Sequence, residues 1–186
     1  MGTIKTTNIE PIADNGTVTL GSSGDTFSLG SGVIQSNLNY PTFFAGVGTA
    51  QSLSNDLATK MQFDYEDFDT DSAYDPSTNY RFTVPSGKGG KYYFFINAYY
   101  LSSGQGNLNY VSTNLYKNGS KWQHNNNDFR SNPVYNFSDQ LSGVIDLNAG
   151  DYLEGYSYVN GTSVVLQNSN GSPNRMSIFT AYRIGT

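Results

Sequence analysis

Carboxylate side chains are concentrated between residues 64 and 75 of the chain. Carboxylate oxygens in a loop can bind Ca²⁺, and two carboxylates at a defined separation in a cleft can hydrolyse a glycosidic bond. The spacing here does not match the EF-hand series, and it fixes no separation between two carboxylates. Because Asp64 and Glu66 are expected to alternate outward on a strand, we favour a solvated acidic face over a metal site. The candidate Ca²⁺ ligands are Asp69, Asp71 and Asp75, and we expect no other metal and no cofactor.

The chain has a single histidine, His124, and no cysteine. A catalytic triad needs a base beside a nucleophile, and a zinc site usually needs several His or Cys ligands. His124 precedes three asparagines, a polar context that predicts an exposed loop residue. Disulfides and thiolate chemistry are excluded because there is no Cys. We therefore predict that the protein is not an enzyme and has no catalytic residue.

Two polar segments, 102–110 and 122–136, are predicted to be loops at the tip of a domain. Both are rich in Asn, Gln, Ser and aromatic residues, like the adaptable binding loops of antibodies. Sugar-binding surfaces combine planar amides, hydroxyls and a ring on which a sugar can stack, and these segments contain all three. The alternative is that they are only solvated connections. The candidate receptor-binding residues are Gln105, Asn107, Asn109, Tyr110, Trp122, Gln123, His124 and Asn125.

The composition restricts the elements that can position these residues. Of 186 residues, 37% are hydrophobic, 15% aromatic and 13% charged. Long helices need the Ala, Glu, Lys, Leu and Arg that are scarce here, and the low charge does not fit disorder. A net charge of −5 with scattered basic residues disfavours nucleic-acid binding. Since there is no apolar run of about 18 residues and no signal-peptide pattern, we expect a β protein that is not inserted in a membrane.

Residues 1–40 differ from the rest of the chain, because Phe27 is their only aromatic residue before Tyr40. A short repeat, TVTLG at 17–21 and TFSLG at 26–30, alternates as a strand with one buried face does. Two such units cannot bury their apolar residues alone, so several copies of the chain would have to bury them together. We predict an extended or β N-terminal arm at 1–40 and a separate domain at 41–186. A disordered leader is the alternative.

Residues 41–186 consist of short runs separated by turns, with no sustained helical period. Asn118-Gly119 between two such runs predicts a hairpin, since both residues tolerate positive φ. Many strands at this spacing are typical of a sandwich or a barrel, and the jelly roll is one such fold. The predicted strands are 43–48, 60–68, 80–84, 91–101, 111–117, 142–147, 152–159, 163–167 and 176–184.

The run KYYFFINAYYL at 91–101 is apolar or aromatic on both faces. A strand in a monomeric sandwich normally has one polar face. We therefore expect one face to pack in the core and the other to contact another copy of the chain, with tyrosine hydroxyls reaching a partner or water. The residues predicted to share core and subunit interface are Tyr92, Phe94, Ile96, Tyr93 and Phe95.

An ordered series of motifs across residues 41–186 resembles the C1q/TNF-like domain. In that family a strand ending in Phe-Asn/Asp-Thr is followed by an aromatic-Asp-Pro loop and a Phe-Thr-Ala/Val-Pro strand. Here these motifs are DFDT at 67–70, YDPST at 74–78 and RFTVP at 81–85. Later hallmarks match GKYYF at 90–94, LYKNG at 115–119, LSGVIDLNAGDYL at 141–153 and FTAY at 179–182. The resemblance implies an all-β, ten-stranded jelly-roll sandwich that assembles as a tight trimeric knob.

The leader TTNIEPIADNGTVTLGSSGDTFSLG at 6–30 is similar to the N-terminal arm of short fibre proteins of tailed bacteriophages. Combined with a trimeric knob, this resemblance implies a fibre on the virion surface. Its arm would dock on other virion proteins, and its knob would bind a host-surface glycan or protein. The alternative is a structural virion component without receptor binding, such as a capsid decoration, a head fibre or a tail-fibre adaptor. A fibre depolymerase is disfavoured, because those are generally longer and no acid–base pair is evident.

Overall fold

The computed structural model describes residues 40–168 and 175–185, together with the isolated positions 23, 26 and 31. The predicted arm at 1–40 lies almost wholly outside these residues, so the arm and the division into two parts stay predictions. The described residues form strands and turns without a helix. Accordingly, no helix in this part of the chain is long and apolar enough to cross a membrane.

Thirteen β-strands form within the described residues, rather than the ten that the resemblance implies, and four of the thirteen are only two residues long. In chain order they are β1 Thr42–Gly46, β2 Gln51–Ser52, β3 Thr59–Lys60, β4 Tyr65–Asp69, β5 Tyr74–Asp75, β6 Arg81–Thr83, β7 Gly90–Leu101, β8 Leu108–Lys117, β9 Ser120–Asp128, β10 Asn136–Leu147, β11 Tyr152–Gly161, β12 Val165–Leu166 and β13 Ile178–Gly185.

The strands form two antiparallel sheets. The first has the order β2–β12–β7–β13–β1–β4, with β10 along the other edge of β7. The second has the order β5–β6–β11–β8–β9, with β3 also paired to β11. Many neighbours in space are distant in the chain: β1 pairs with β13, placing Phe44 beside Thr180. The predicted all-β sandwich is therefore confirmed, and it closes only when the first and last strands of the domain meet.

Aromatic rings fill the space between the two sheets. Phe43 of the first sheet stacks on Tyr74 and Phe82 of the second, with ring centroids 4.7 and 5.1 Å apart. Phe179 of β13 meets the Phe43 ring edge-on at 5.0 Å. Each such ring pair contributes roughly 0.5–1.5 kcal/mol beyond its buried area. Part of the aromatic surplus in the composition is thus used in the core.

The β8–β9 hairpin forms where the sequence predicts it. Asn118 and Gly119 make the turn with φ of 52° and 76°, the positive values that this residue pair tolerates. The Asn118 side chain also joins the turn to β11, because its amide donates to Asp151 at 2.8 Å and its oxygen accepts from the Tyr152 N–H at 2.9 Å. The predicted strands 43–48, 91–101, 111–117 and 152–159 agree with the structure to within a few residues.

The prediction of one strand over 60–68 is wrong. The chain passes there from β3 in the second sheet to β4 in the first. Met61 and Phe63 lie between the two strands and are fully buried, and the Phe63 ring contacts Phe179 at 5.6 Å. Alternating apolar residues therefore mark a crossing through the core, where they pack between the sheets instead of continuing one strand.

The predicted loop at 122–136 is correct only for residues 129–135. β9 continues to Asp128, and β10 already begins at Asn136, six residues before its predicted start at 142. β9 is the edge strand of the second sheet and carries polar side chains on both faces, so it lacks the apolar alternation that predicts a strand. His124 is exposed as predicted, but it lies on a strand. The side chains of 122–125 are therefore divided between the two sides of the sheet. A register shift opposite Leu115 and Tyr116 interrupts the alternation at Trp122, which lies on the same side as Gln123.

Candidate functional site

The outer face of the first sheet carries a cluster of aromatic and apolar side chains, here called the aromatic face. On β7, Phe95 lies beside Thr180 of β13 and Tyr93 beside Tyr182. The rings of Tyr93 and Tyr182 are 5.3 Å apart. The members of the aromatic face are Phe44, Phe68, Tyr93, Phe95, Val144 and Tyr182.

Several of these side chains remain in contact with water. Val144 is 53% exposed, Phe68 48% and Tyr182 37%. Val144 lies directly opposite Tyr93 across the β7–β10 pairing. Large contiguous apolar patches are rare on monomeric soluble proteins and mark interaction surfaces. The aromatic face is thus a candidate protein–protein contact surface.

The predicted core and interface residues of β7 separate between its two faces. Tyr92, Phe94 and Ile96 are fully buried between the sheets. Tyr93 and Phe95 alternate with them on the aromatic face and are only partly buried. The double-sided pattern of the sequence therefore corresponds to one core face and one face that no described strand covers, although the Arg175 guanidinium lies 4.9 Å from the centre of the Phe44 ring. Contact of that second face with another copy stays a prediction.

The outer face of the second sheet carries a polar groove of about 440 Å³. Three strands align across it, because Ser112 of β8 pairs with Asn126 of β9 on one side and with Tyr158 of β11 on the other. The volume lies within the range of small-ligand sites, about 300–1,000 Å³. The residues that define the polar groove are Asp56, Tyr110, Ser112, His124, Asn126 and Tyr158.

The groove exists because the central strand carries small side chains between taller ones. Ser112 is 3% exposed and forms the floor, with its hydroxyl donating to Asn114 at 3.1 Å. The rings of Tyr110 and Tyr158 meet nearly at right angles, 85°, with centroids 5.9 Å apart. His124 and Asn126 rise on the opposite side, from β9. The arrangement offers aromatic ring surface next to planar polar groups.

Asp56 forms one end of the groove and is held in place by several hydrogen bonds. The Asn160 amide donates to both Asp56 oxygens at 2.9 Å, and the Tyr158 hydroxyl donates at 3.1 Å. The Asp56 N–H donates to the carbonyl of Val159 at 2.8 Å. The hydrogen bond to Asp56 raises the pKa of Tyr158, so its hydroxyl keeps its proton. The carboxylate is fixed in position and is largely satisfied by its own neighbours.

Positive charge lies along the β9 side of the groove. Lys121 and Arg130 both line it. Arg130 is paired with Asp128, to which its Nε donates at 2.9 Å, and the hydrogen bonds from Arg130 lower the pKa of Asp128 to about 2. The side chains of Lys121 and His124 make no hydrogen bond or ion pair with any described residue. These two groups can therefore donate to a ligand without first breaking an internal contact.

The structure divides the predicted receptor-binding residues among three places. Tyr110 and His124 line the polar groove, and Asn109 borders it by donating to Asn160 at 3.0 Å. Gln105 is exposed in the β7–β8 connection, where Asn107 donates to Ser103 at 3.3 Å. The other three lie on the inner side of β9, namely Trp122, Gln123 and Asn125.

Those inner residues of β9 face β10 rather than the groove. Trp122 packs edge-on against Phe94 with ring centroids 5.9 Å apart. The Gln123 amide donates to the carbonyl of Ser142 at 3.2 Å. The Asn125 amide donates to Asp139, a carboxylate that is 2% exposed, at 2.6 Å. Burial raises the pKa of Asp139. Trp122 therefore cannot serve as a stacking ring beside His124, because the two side chains lie on opposite sides of one strand.

Sequence reasoning missed Asp56, Ser112 and Tyr158 as members of the groove. They lie on separate segments that meet through the β8–β11 pairing and through the hydrogen bond from Asp56 to the strand β11. A groove across three strands has no fixed sequence spacing, so no local motif marks these residues.

The candidate calcium ligands hold turns of the backbone. Asp69 accepts from the N–H of Tyr74 at 2.6 Å, and Asp71 accepts from the Thr70 hydroxyl at 2.8 Å. Asp75 accepts from three backbone N–H groups of the turn that follows it, which lowers its pKa well below the usual range. Within the described ranges, no group of three or more acidic or histidine side chains is arranged to hold a metal ion.

The chain resembles known proteins in structure rather than in sequence. No protein-family model and no curated protein matches the chain. The globular domain of the zebrafish complement 1qA protein aligns with 78% of this chain and 98% of its own, at 13% identity and TM-score 0.52. Murine APRIL aligns with 77% and 98%, at 11% identity and TM-score 0.55. Eiger TNF from S. frugiperda aligns with 79% and 94%, at 14% identity and TM-score 0.55. At these identities the likeness establishes the fold, so the predicted C1q/TNF-like jelly roll is confirmed.

Proposed function

We propose that this chain is the subunit of a homotrimeric virion fibre of a tailed bacteriophage, and that its jelly-roll domain binds the host surface. The observation that carries the proposal is the pairing of an exposed aromatic face on one sheet with an open polar groove on the other. One surface suits contact between copies, and the other suits a ligand. The protein is a binding protein and not an enzyme.

Self-association through the aromatic face follows from its exposure. Val144 and Tyr182 would each gain apolar contact on association, at about 25 cal/mol for every Å² removed from water. The C1q/TNF-like motifs of the sequence imply three copies around a common axis. A trimer also fits the low content of charged residues, 13%, because much of each subunit would face another copy.

The polar groove lies on the second sheet and the aromatic face on the first, so the groove would stay open when another copy covers the aromatic face. Each trimer would then present three identical grooves. Linked sites convert weak individual contacts into much tighter overall binding, by factors of about 10² to 10⁴ when the geometry allows simultaneous engagement. Multivalent adhesion to a repetitive host glycan or to a host protein would follow. The net charge of −5 argues against nucleic acid as the partner.

The N-terminal arm supplies the second half of the proposal. Its resemblance to the arms of short phage fibres leads us to place the chain on the virion surface, with residues 1–40 docked on other virion proteins. The rival placement is a capsid decoration, a head fibre or a tail-fibre adaptor, which would also be trimeric but would bind no receptor.

The test is adsorption of the purified full chain to host cells. We expect a particle of three times 20.3 kDa that binds these cells and competes with intact virions for infection. Antibody labelling of virions should place the chain on an exposed fibre. Monomeric protein, or a trimer that neither binds cells nor blocks infection, would overturn the proposal. Labelling on the capsid shell together with absence of cell binding would favour the structural alternative.

A further inference from the structure

We infer that the polar groove binds an anionic saccharide, with the sugar ring against Tyr110 or Tyr158 and its acid group at Lys121 and His124. This inference rests on the proposed function, because it names the chemical class of receptor that the groove would take. The probe that represents this class is a monosaccharide carrying one carboxylate.

Ring stacking is the first part of the argument. A sugar has one face of C–H groups and an edge of hydroxyls, so its binding site needs an apolar surface bordered by polar groups. In the polar groove, the nearly perpendicular rings of Tyr110 and Tyr158 present such a surface, and their centroids are 5.9 Å apart. The small, buried Ser112 lies between Tyr158 and Asn126 in the strand pairings, and it leaves room for the ring of a ligand to lie against the sheet.

Hydroxyl recognition is the second part. The Asn126 side chain makes no hydrogen bond to any described residue, so its amide can donate and accept with sugar hydroxyls. At the other end, Asp56 is already held by Asn160 and Tyr158. One Asp56 oxygen accepts from Tyr158 and Asn160, and the other accepts from Asn160 and from the Asn55 amide at 2.7 Å. All four lone-pair sites of the carboxylate are thus occupied, so Asp56 fixes this end of the groove and Asn126 supplies the hydrogen bonds to the ligand hydroxyls.

Charge selects an acidic sugar over a neutral one. Lys121 and His124 carry donors that no described residue uses, whereas Arg130, which also lines the groove, is paired with Asp128. On its β9 side the groove therefore has a cation, Lys121, that forms no ion pair with any described residue, and the Asp56 carboxylate lies at the other end. A hydrogen bond to a charged group is roughly twice as strong as a neutral one, so a sugar carboxylate at this end would add affinity that a neutral sugar lacks.

The chain contains its own reporter for the experiment. His124 is the only histidine and lines the groove, whereas Trp122 is the only tryptophan and lies on the other side of the same strand. The imidazole NMR signals of His124 should move on titration with methyl α-galacturonide, and the indole signal of Trp122 should stay in place. Methyl α-galactoside tests the neutral sugar, and acetate tests a carboxylate without a ring.

The full-length protein is titrated as wild type and as two variants with the same loss of charge. Lys121→Gln removes the cation of the groove, and Lys91→Gln removes an exposed lysine from β7 in the other sheet. We expect saturable binding of the acidic sugar by wild type and Lys91→Gln, and binding about tenfold or more weaker by Lys121→Gln. The neutral sugar should bind wild type about as weakly as the acidic sugar binds Lys121→Gln, and acetate should bind more weakly than either.

Each result decides the inference separately from the proposed function. Absence of a His124 response to the acidic sugar overturns the inference, and so does equal affinity for acidic and neutral sugars. A response to acetate as strong as to the acidic sugar overturns the role of the tyrosine rings. If the trimer adsorbs to host cells and Lys121→Gln adsorbs equally well, the proposed function stands while the groove loses its role. If wild type binds the acidic sugar but no host cell, the site stands and the proposed function fails.

Discussion

Replacement of Val144 by aspartate tests the aromatic face directly. The residue lies on β10 opposite Tyr93, and 53% of it is exposed in the single chain. In a monomer the new carboxylate would point into water, so the fold should tolerate Val144→Asp. In a trimer that covers the aromatic face, the carboxylate would be buried without a partner. Aspartate is chosen over lysine because its short side chain cannot reach back to water.

The size of the effect follows from burial. About half of the valine side chain remains to be buried on association, which is worth roughly 1 kcal/mol for each copy. An ion buried without a partner costs several kcal/mol more. With three equivalent positions the total is on the order of 10 kcal/mol for each trimer, and every 1.4 kcal/mol is about a tenfold change in an equilibrium constant. Val144→Asp should therefore be monomeric at concentrations where wild type is fully trimeric.

Sedimentation velocity over a range of protein concentrations measures this shift, and circular dichroism checks that the variant is folded. Leu57→Asp is the matched control, because Leu57 is 59% exposed and lies beside Asp56, away from the aromatic face. Leu57→Asp should remain trimeric. A folded Val144→Asp protein that stays trimeric would refute the assignment of the aromatic face to the subunit contact, and a monomeric wild type would refute association itself.

Two further predictions concern stability. Gly90→Ala should lower the free energy of unfolding by about 3 kcal/mol or more, since a Cβ there would lie 2.2 Å from the Gly185 carbonyl oxygen at φ +143°. Gly87→Ala, with φ +72° and open space around it, should cost only about 1 kcal/mol, and equal losses in denaturant titrations would contradict the steric argument. Burial raises the pKa of Asp139 above its usual 3.8, so the folded state holds the carboxyl proton more tightly than the unfolded state does. The free energy of unfolding of wild type should therefore fall as pH rises from the unfolded-state pKa to the raised folded-state pKa. The stability advantage of wild type over Asp139→Asn should therefore shrink with rising pH. Asp146→Asn, on the exposed side of β10, is the control. An advantage that grows with pH would show that the hydrogen bonds to the Asp139 carboxylate outweigh its burial.

Strand prediction succeeded where one local pattern determines the conformation. The hairpin at Asn118-Gly119 depends on two adjacent residues that accept positive φ. The strand at 91–101 depends on a run dominated by the β-forming residues Tyr, Phe and Ile. The failures are at 60–68 and 122–136, where the outcome depended on distant partners. Met61 and Phe63 pack between the sheets, and β9 is a strand only because β8 pairs with it.

The candidate site was predicted only in part, for the same reason. Tyr110 and His124 line the groove, but Trp122 and Asn125 lie on the other side of their strand. A loop would have allowed all four side chains to converge on one ligand. A strand does not, because its side chains are divided between two faces, and here a register shift at Trp122 turns that ring away from His124.

The sequence by itself determined the fold class, because turn residues and aromatic alternation recur along the chain and each acts over a few positions. It also determined that β7 has two apolar faces, since that property belongs to one continuous run. Only the tertiary structure decided which face is core and which is exposed. It alone also assembled the polar groove from Asp56, Ser112 and Tyr158, because the pairing of distant strands depends on the packing free energy of the whole sandwich and no local spacing encodes it.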